Sequence, residues 1–156
     1  RLAANLKRSG LAADVAQGDA LLWEPEAPAD LILLDAPCSA TGIFRRHPDV
    51  LYRAGPRQIA EMAEIQAAML DHAAAWVKPG GILIYATCSL ERAEGEDQIA
   101  AFLTRHTGFT IDPVRAEELP AGISPTAEGF IRTLPGMLEE DGGADGFFVA
   151  RLRLSA

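Results

Sequence analysis

Two short apolar runs, Leu31-Ile32-Leu33-Leu34 and Ile82-Leu83-Ile84-Tyr85-Ala86, each lead within a few residues to a cysteine, Cys38 and Cys88, the only two in the chain. Neither run alternates apolar with polar residues, and both are bounded by Gly, Pro or Asp. That pattern predicts strands of a parallel sheet covered on both faces. Sheets of this kind bind ligands beyond the carboxyl ends of their strands. If the two strands are neighbours, both thiols open into one crevice although they lie 50 positions apart in sequence.

The rest of the chain alternates helix and strand. Leu2 to Ser9 reads as a helix ended by Gly10, and Ala13 to Ala16 as a strand closing at Gly18-Asp19. A loop from Ala36 to Gly55 leads to a helix from about Pro56 to Lys78. Pro56 suits its first turn, and Pro79-Gly80-Gly81 suits its end. A second helix is expected from Glu94 to His106, carrying Ile99, Phe102 and Leu103. Beyond Phe109 the order weakens to loops around a short strand at Phe130 to Thr133. Phe147 to Leu154, with apolar and basic residues alternating, then reads as a partly exposed last strand antiparallel to its predecessor. The fold class is α/β, with a mostly parallel sheet and a C-terminal antiparallel hairpin. So few strands ahead of the hairpin imply that N-terminal strands are missing.

With 156 residues, 49% of them hydrophobic, the chain can bury one ordinary core. No apolar run is long enough to cross a bilayer and no signal-peptide order opens the chain, so a cytoplasmic protein without a membrane partner is expected. The start at Arg1, without a methionine, reads as that of a fragment. The net charge of −8 argues at first against a nucleic-acid partner. Most of the excess, −6, lies between Asp112 and Asp145. Between Arg45 and Arg57, by contrast, Arg45, Arg46, Arg53 and Arg57 face only Asp49, which gives +3 just after the first cysteine. That stretch is either an anion-binding patch or a solvated loop face. A metal is not expected, since His47, His72 and His106 are scattered and no Cys-x-x-Cys occurs.

Asp35-Ala36-Pro37-Cys38-Ser39-Ala40-Thr41-Gly42 followed by Arg45-Arg46-His47-Pro48-Asp49, together with Tyr85-Ala86-Thr87-Cys88-Ser89, resembles the two signature segments of the RNA cytosine-5 methyltransferases. The likeness is greatest to the Sun/Fmu group, which methylates a cytosine of 16S ribosomal RNA. Asp145-Gly146-Phe147-Phe148-Val149-Ala150 is similar to that family's closing strand. The resemblance runs from near Arg1 to the end, so residues 1–156 are expected to be the carboxyl-terminal part of one Rossmann-like, S-adenosylmethionine-dependent catalytic domain.

Such chemistry has a reason to use two thiols. C5 of cytosine is a poor nucleophile; a thiolate added to C6 places electron density on C5, which then attacks a methyl sulfonium. The C5 proton must afterwards leave and the thiol be expelled. The resemblance assigns the attack to Cys88 and assistance of release to Cys38. DNA cytosine methyltransferases instead attack with a Pro-Cys cysteine, so Cys88 is what favours RNA. By the same resemblance Asp35 belongs to the catalytic and cofactor site, Pro37 lies beside the cofactor, and Asp19 meets the adenine end of S-adenosylmethionine. Arg45, Arg46 and His47 are expected to meet RNA phosphates or the neighbours of a flipped-out base.

Each residue also has a plainer reading. A thiol at a strand end can be a small buried hydrophobe, and Asp35 or Asp19 can simply cap a turn. Trp23, Trp76, Phe147 and Phe148 read as packing residues. The chain departs from the family pattern in lacking its Gly-rich cofactor loop with a Lys, and the acid for the ribose. Ala93-Glu94-Gly95 stands where the family has Glu-Glu-Asn, read here as the loss of a helix-start hydrogen bond and no more. Ala40 replaces a common Gly. A module that binds RNA without catalysis is the alternative function.

Overall fold

The computed structural model describes residues 2–156. Helix α1 (Leu2–Ser9) ends at Gly10, whose φ of +66° suits a residue without Cβ. Then come β1 (Ala29–Asp35), short helix α2 (Val50–Arg53), long helix α3 (Pro56–Ala74), β2 (Val77–Thr87) and α4 (Glu96–Arg105). Strands β3 (Phe109–Ile111), β4 (Ile131–Thr133) and β5 (Phe147–Leu154) complete the order.

The sheet runs β1-β2-β5-β3, with β4 also paired to β5. β1 and β2 are parallel, while β5 is antiparallel to β2, β3 and β4. Among the described residues, four of the five strands therefore point one way and β5 runs against them. The closing strand is thus not at an edge: β2 takes one side, and β3 and β4 share the other. Its alternation reflects two faces. Phe148, Ala150 and Leu152 are fully buried, whereas Arg151 and Arg153 reach out to Asp112.

Helices α3 and α4 bring Leu70, Ala73, Ala74, Ile99 and Phe102 onto the buried face, against Leu83 and Tyr85 of β2 and the inward residues of β5. Cutting Phe102 or Leu70 back to Ala is expected to cost about 3 kcal/mol. In α4, Glu96 and Asp97 occupy the first turn and Arg105 the last, in accord with the helix dipole. The opposite face of β1 is open, with Leu31 54% and Leu33 62% exposed, although the unbroken apolar run predicted cover on both sides.

Several expected boundaries differ. Residues 11–17 form no strand, so the reading of Ala13 to Ala16 is corrected. The long helix stops at Ala74 and not Lys78, because Val77 is taken into β2 opposite Ala29, and the Trp76 carbonyl accepts the Ala29 amide at 2.7 Å. Pro79-Gly80-Gly81 is accordingly not a helix stop. The register jumps from Ala29↔Val77 to Leu31↔Ile82, so Lys78 to Gly81 bulge out of the ladder, with Gly80 at φ +76°. Helix α4 begins at Glu96, two residues after Glu94, and β3 was not anticipated.

Candidate active site

Register alone carries the two cysteines together. In the parallel pair Asp35 lies opposite Ala86, and the Ala36 amide still donates to the Ala86 carbonyl at 3.0 Å, so the chains leave the sheet in step. Two or three residues further on, Cys38 Sγ and Cys88 Sγ are 3.4 Å apart, each partly accessible. The loops are then laced together. Gly42 donates its amide to the Cys88 carbonyl at 2.9 Å, and Leu90 donates to Thr41 Oγ1 at 2.9 Å. Ala40 makes this turn with φ 58°, a left-handed conformation that costs about 1 kcal/mol without Gly, which explains why Gly suits the position.

Below the sulfurs lies a buried polar cluster. Ser39 and Ser89, the residues that follow the two cysteines, both donate through Oγ to Glu94 Oε2; the Ser89 bond is 2.6 Å long. Ser39 also gives its backbone amide to Glu94 Oε1 at 2.9 Å. Gln66 of α3 donates through Nε2 to Glu94 Oε1 at 3.0 Å and to the Pro37 carbonyl at 2.8 Å, and accepts from the Tyr85 hydroxyl at 3.0 Å. Arg132 of β4 donates to the Ser89 carbonyl at 2.7 Å, is salt-bridged to Glu96, and lies 4.8 Å over the Phe148 ring.

The sulfur pair shares a proton. An S–H donated by Cys38 stabilises a thiolate on Cys88 and lowers its pKa from an ordinary 9.0 to about 7, against the opposing pull of burial and of the Asp35 and Glu94 charges. The same bond, with burial, pushes Cys38 up. Near neutral pH the negative charge of the pair is therefore favoured on Cys88, with the Cys38 S–H beside it.

Asp35 is exposed at the end of β1, its carboxylate making no hydrogen bond among the described residues, and Pro37 is exposed beside it. Asp19 is elsewhere. It accepts from the Leu21 amide at 2.9 Å in an exposed turn, and its carbonyl accepts from Trp23, whose ring packs on Trp76 immediately ahead of β2. That packing sets Trp23 against the amino-terminal end of β2. Arg45 and Arg46 follow Gly42 and both lean on Asp145; Arg46 Nε is 2.8 Å and Arg45 Nε 3.7 Å from its carboxylate. His47 is exposed. The basic stretch is further neutralised by Arg53–Asp49 and Arg57–Glu61 pairs. Among the described residues no three of His, Cys, Asp and Glu converge as a metal site, and no helix is long and apolar enough to cross a membrane.

Gln66 and Glu94 were not anticipated. The signal for Gln66 is its place on the apolar stripe of α3, between Met62 and Leu70, where an amide must find buried partners. For Glu94 it is the repeated Cys-Ser pair, which leaves two hydroxyls in need of an acceptor.

A family model described as 16S rRNA methyltransferase RsmB/F matches residues 1–153. The ribosomal RNA small subunit methyltransferase B of a Klebsiella pneumoniae strain is 47% identical over 151 residues, and that of an Enterobacter strain 44% identical. Each match covers 95% of this chain and 32% of the relative, so the chain spans about a third of these curated relatives. Among solved structures, NSun6 from Pyrococcus horikoshii with SFG superposes with a TM-score of 0.80 at 30% identity, over 99% of this chain and 38% of that one. A methyltransferase homolog from the same organism gives a TM-score of 0.73 at 26% identity, over 97% of this chain and 48% of that one.

Proposed function

Because this chain belongs to the 16S rRNA methyltransferase RsmB/F family, we propose that its thiol pair handles the cytosine of an S-adenosylmethionine-dependent RNA cytosine-5 methyltransferase acting on ribosomal RNA. Residues 1–156 form the carboxyl-terminal part of its catalytic domain. The observation that carries this reading is the 3.4 Å separation of Cys38 and Cys88 Sγ, close enough for both to serve one pyrimidine ring.

Cys88, as thiolate, adds to C6, and the displaced electron pair makes C5 nucleophilic. S-adenosylmethionine supplies the methyl group that C5 takes. The C5 proton then passes to solvent water, the C5–H electron pair re-forms the C5–C6 double bond, the C6–S bond breaks, and the Cys88 thiolate leaves with its charge stabilised by the Cys38 S–H. Asp35 would accept from the amino edge of the base or lie beside the sulfonium, with Pro37 bordering the same space. Arg45, Arg46 and His47 would hold the RNA backbone around the extruded base. Asp19 would meet the adenine end of S-adenosylmethionine.

The test grafts this chain in place of the matching third of the Klebsiella relative and assays 5-methylcytosine in 16S ribosomal RNA. Cys88→Ala is expected to abolish product; Cys38→Ala is expected to accumulate a protein–RNA adduct on a denaturing gel. Full activity in Cys88→Ala would overturn the reading.

A further inference from the structure

Glu94 has no solvent exposure and, among the described residues, no cation as a hydrogen-bond partner, yet its carboxylate is saturated. Oε1 accepts from Ser39 N and Gln66 Nε2, and Oε2 from the hydroxyls of Ser39 and Ser89. Four acceptor positions therefore meet four neutral donors. Burying a carboxylate on neutral donors is costly in itself, and one donor lost leaves an unsatisfied buried group. Fold stability alone would be served as well by apolar side chains there.

What distinguishes the cluster is which residues it joins. Ser39 and Ser89 are the next residues after Cys38 and Cys88, so the carboxylate grips both cysteine loops at equivalent points. The Glu94 backbone carbonyl shares the single Tyr85 hydroxyl proton with Gln66 Oε1, at 2.9 Å, and accepts from the Thr87 hydroxyl at 3.2 Å, fixing Glu94 to the strand that leads to Cys88.

We propose that Glu94 is a positioning residue for the thiol pair: through Ser39 and Ser89 it holds the two cysteine loops so that the sulfurs meet. The inference rests on the proposed function only in treating this pair as the reacting site. The titratable and charged groups around Cys88 are Cys38 and Asp35 from the β1 end, Tyr85 on β2, Glu94 ahead of α4, and Arg132 of β4 on the Ser89 carbonyl; α3 presents only neutral Gln66. Glu94 consequently acts on Cys88 in two opposite ways. Its charge disfavours the thiolate, and its grip on the loops brings up the Cys38 S–H that favours it.

Two variants separate these effects, read by iodoacetamide alkylation of Cys88 against pH, with thermal melting as a check of folding. The assay needs neither RNA nor methyl donor, so its outcome is independent of the methylation test. Glu94→Asp keeps the charge and shortens the reach. The alkylation midpoint should rise from about 7 towards 9.0, with roughly a tenfold fall in rate at neutral pH. Glu94→Gln removes the charge and keeps the length, and should move the midpoint down. Should Glu94→Asp fail to fold, Ser89→Ala cuts the same tie with a smaller change and should also raise the midpoint. A wild-type midpoint in a folded Glu94→Asp or Ser89→Ala protein overturns the proposal, as does an upward shift in Glu94→Gln alone.

Discussion

Gly146 lies with its backbone against Gly42. Its amide donates to the Gly42 carbonyl at 2.8 Å, and a Cβ built on Gly42 would fall 2.0 Å from the Gly146 oxygen and 2.9 Å from the Cys88 oxygen. This contact ties the entry of β5 to both cysteine loops. Because each obstacle is backbone, no rotamer can relieve it. Gly42→Ala is expected to destabilise the protein by about 3 kcal/mol and to slow Cys88 alkylation, checked by chemical denaturation and thiol labelling. Wild-type stability would contradict the contact.

The sulfur pair gives a pH signature. With Cys38 present, Cys88 should alkylate with a midpoint near 7, since the thiolate is the reactive form and its fraction grows as pH rises through that value. Cys38→Ala removes the S–H donor, so the midpoint should climb towards the ordinary 9.0. Intact-mass analysis of single alkylation across pH 5 to 10 checks it.

Arg132 holds the Ser89 carbonyl, the Glu96 carboxylate and the Phe148 face at once, with its side chain only 14% exposed. Arg132→Lys keeps the charge but cannot span these partners in one plane. A loss of about 2 kcal/mol is expected from the broken charge-assisted bonds, measured by denaturant unfolding.

Arg45 and Arg46 share Asp145, and that pairing weakens but does not cancel their attraction for phosphate. In the grafted enzyme, the Arg45→Ala/Arg46→Ala double variant should bind RNA less tightly. Its slope of log affinity against log salt should be smaller by about 1.4 if each arginine meets one phosphate of a single strand. Fluorescence anisotropy over a salt series measures it; an unchanged slope would place the RNA elsewhere.

Local chemistry made the two cysteine strands legible, because an apolar run ending in Asp or Thr needs no distant partner to be recognised. Pro56 and the stripe from Ile59 to Leu70 likewise announce α3. What stayed hidden depends on partners far away in sequence. Val77 leaves the helix because Ala29 pairs with it, which makes Gly80 a bulge residue. β3 exists because β5 offers it Leu152 to Leu154, and three residues carry too little pattern of their own. Ala13 to Ala16 has strand-like residues but no strand beside it. The cysteine crevice followed from register, whereas the Glu94 cluster required Ser39, Ser89 and Gln66 to be seen in one place. The arginine patch was read from sequence as bare charge, and its partner Asp145 lies about a hundred positions away.

The most direct measurement uses the grafted enzyme, methyl donor, and 16S ribosomal RNA carrying 5-fluorocytosine at the target, where the fluorine cannot leave as the C5 proton does and the covalent complex persists. Peptide mass mapping should find the nucleotide attached to Cys88, with Cys38 unmodified. Attachment through Cys38, or no attachment at all in an enzyme that methylates ordinary RNA, would contradict a shared crevice in which Cys88 attacks and Cys38 assists.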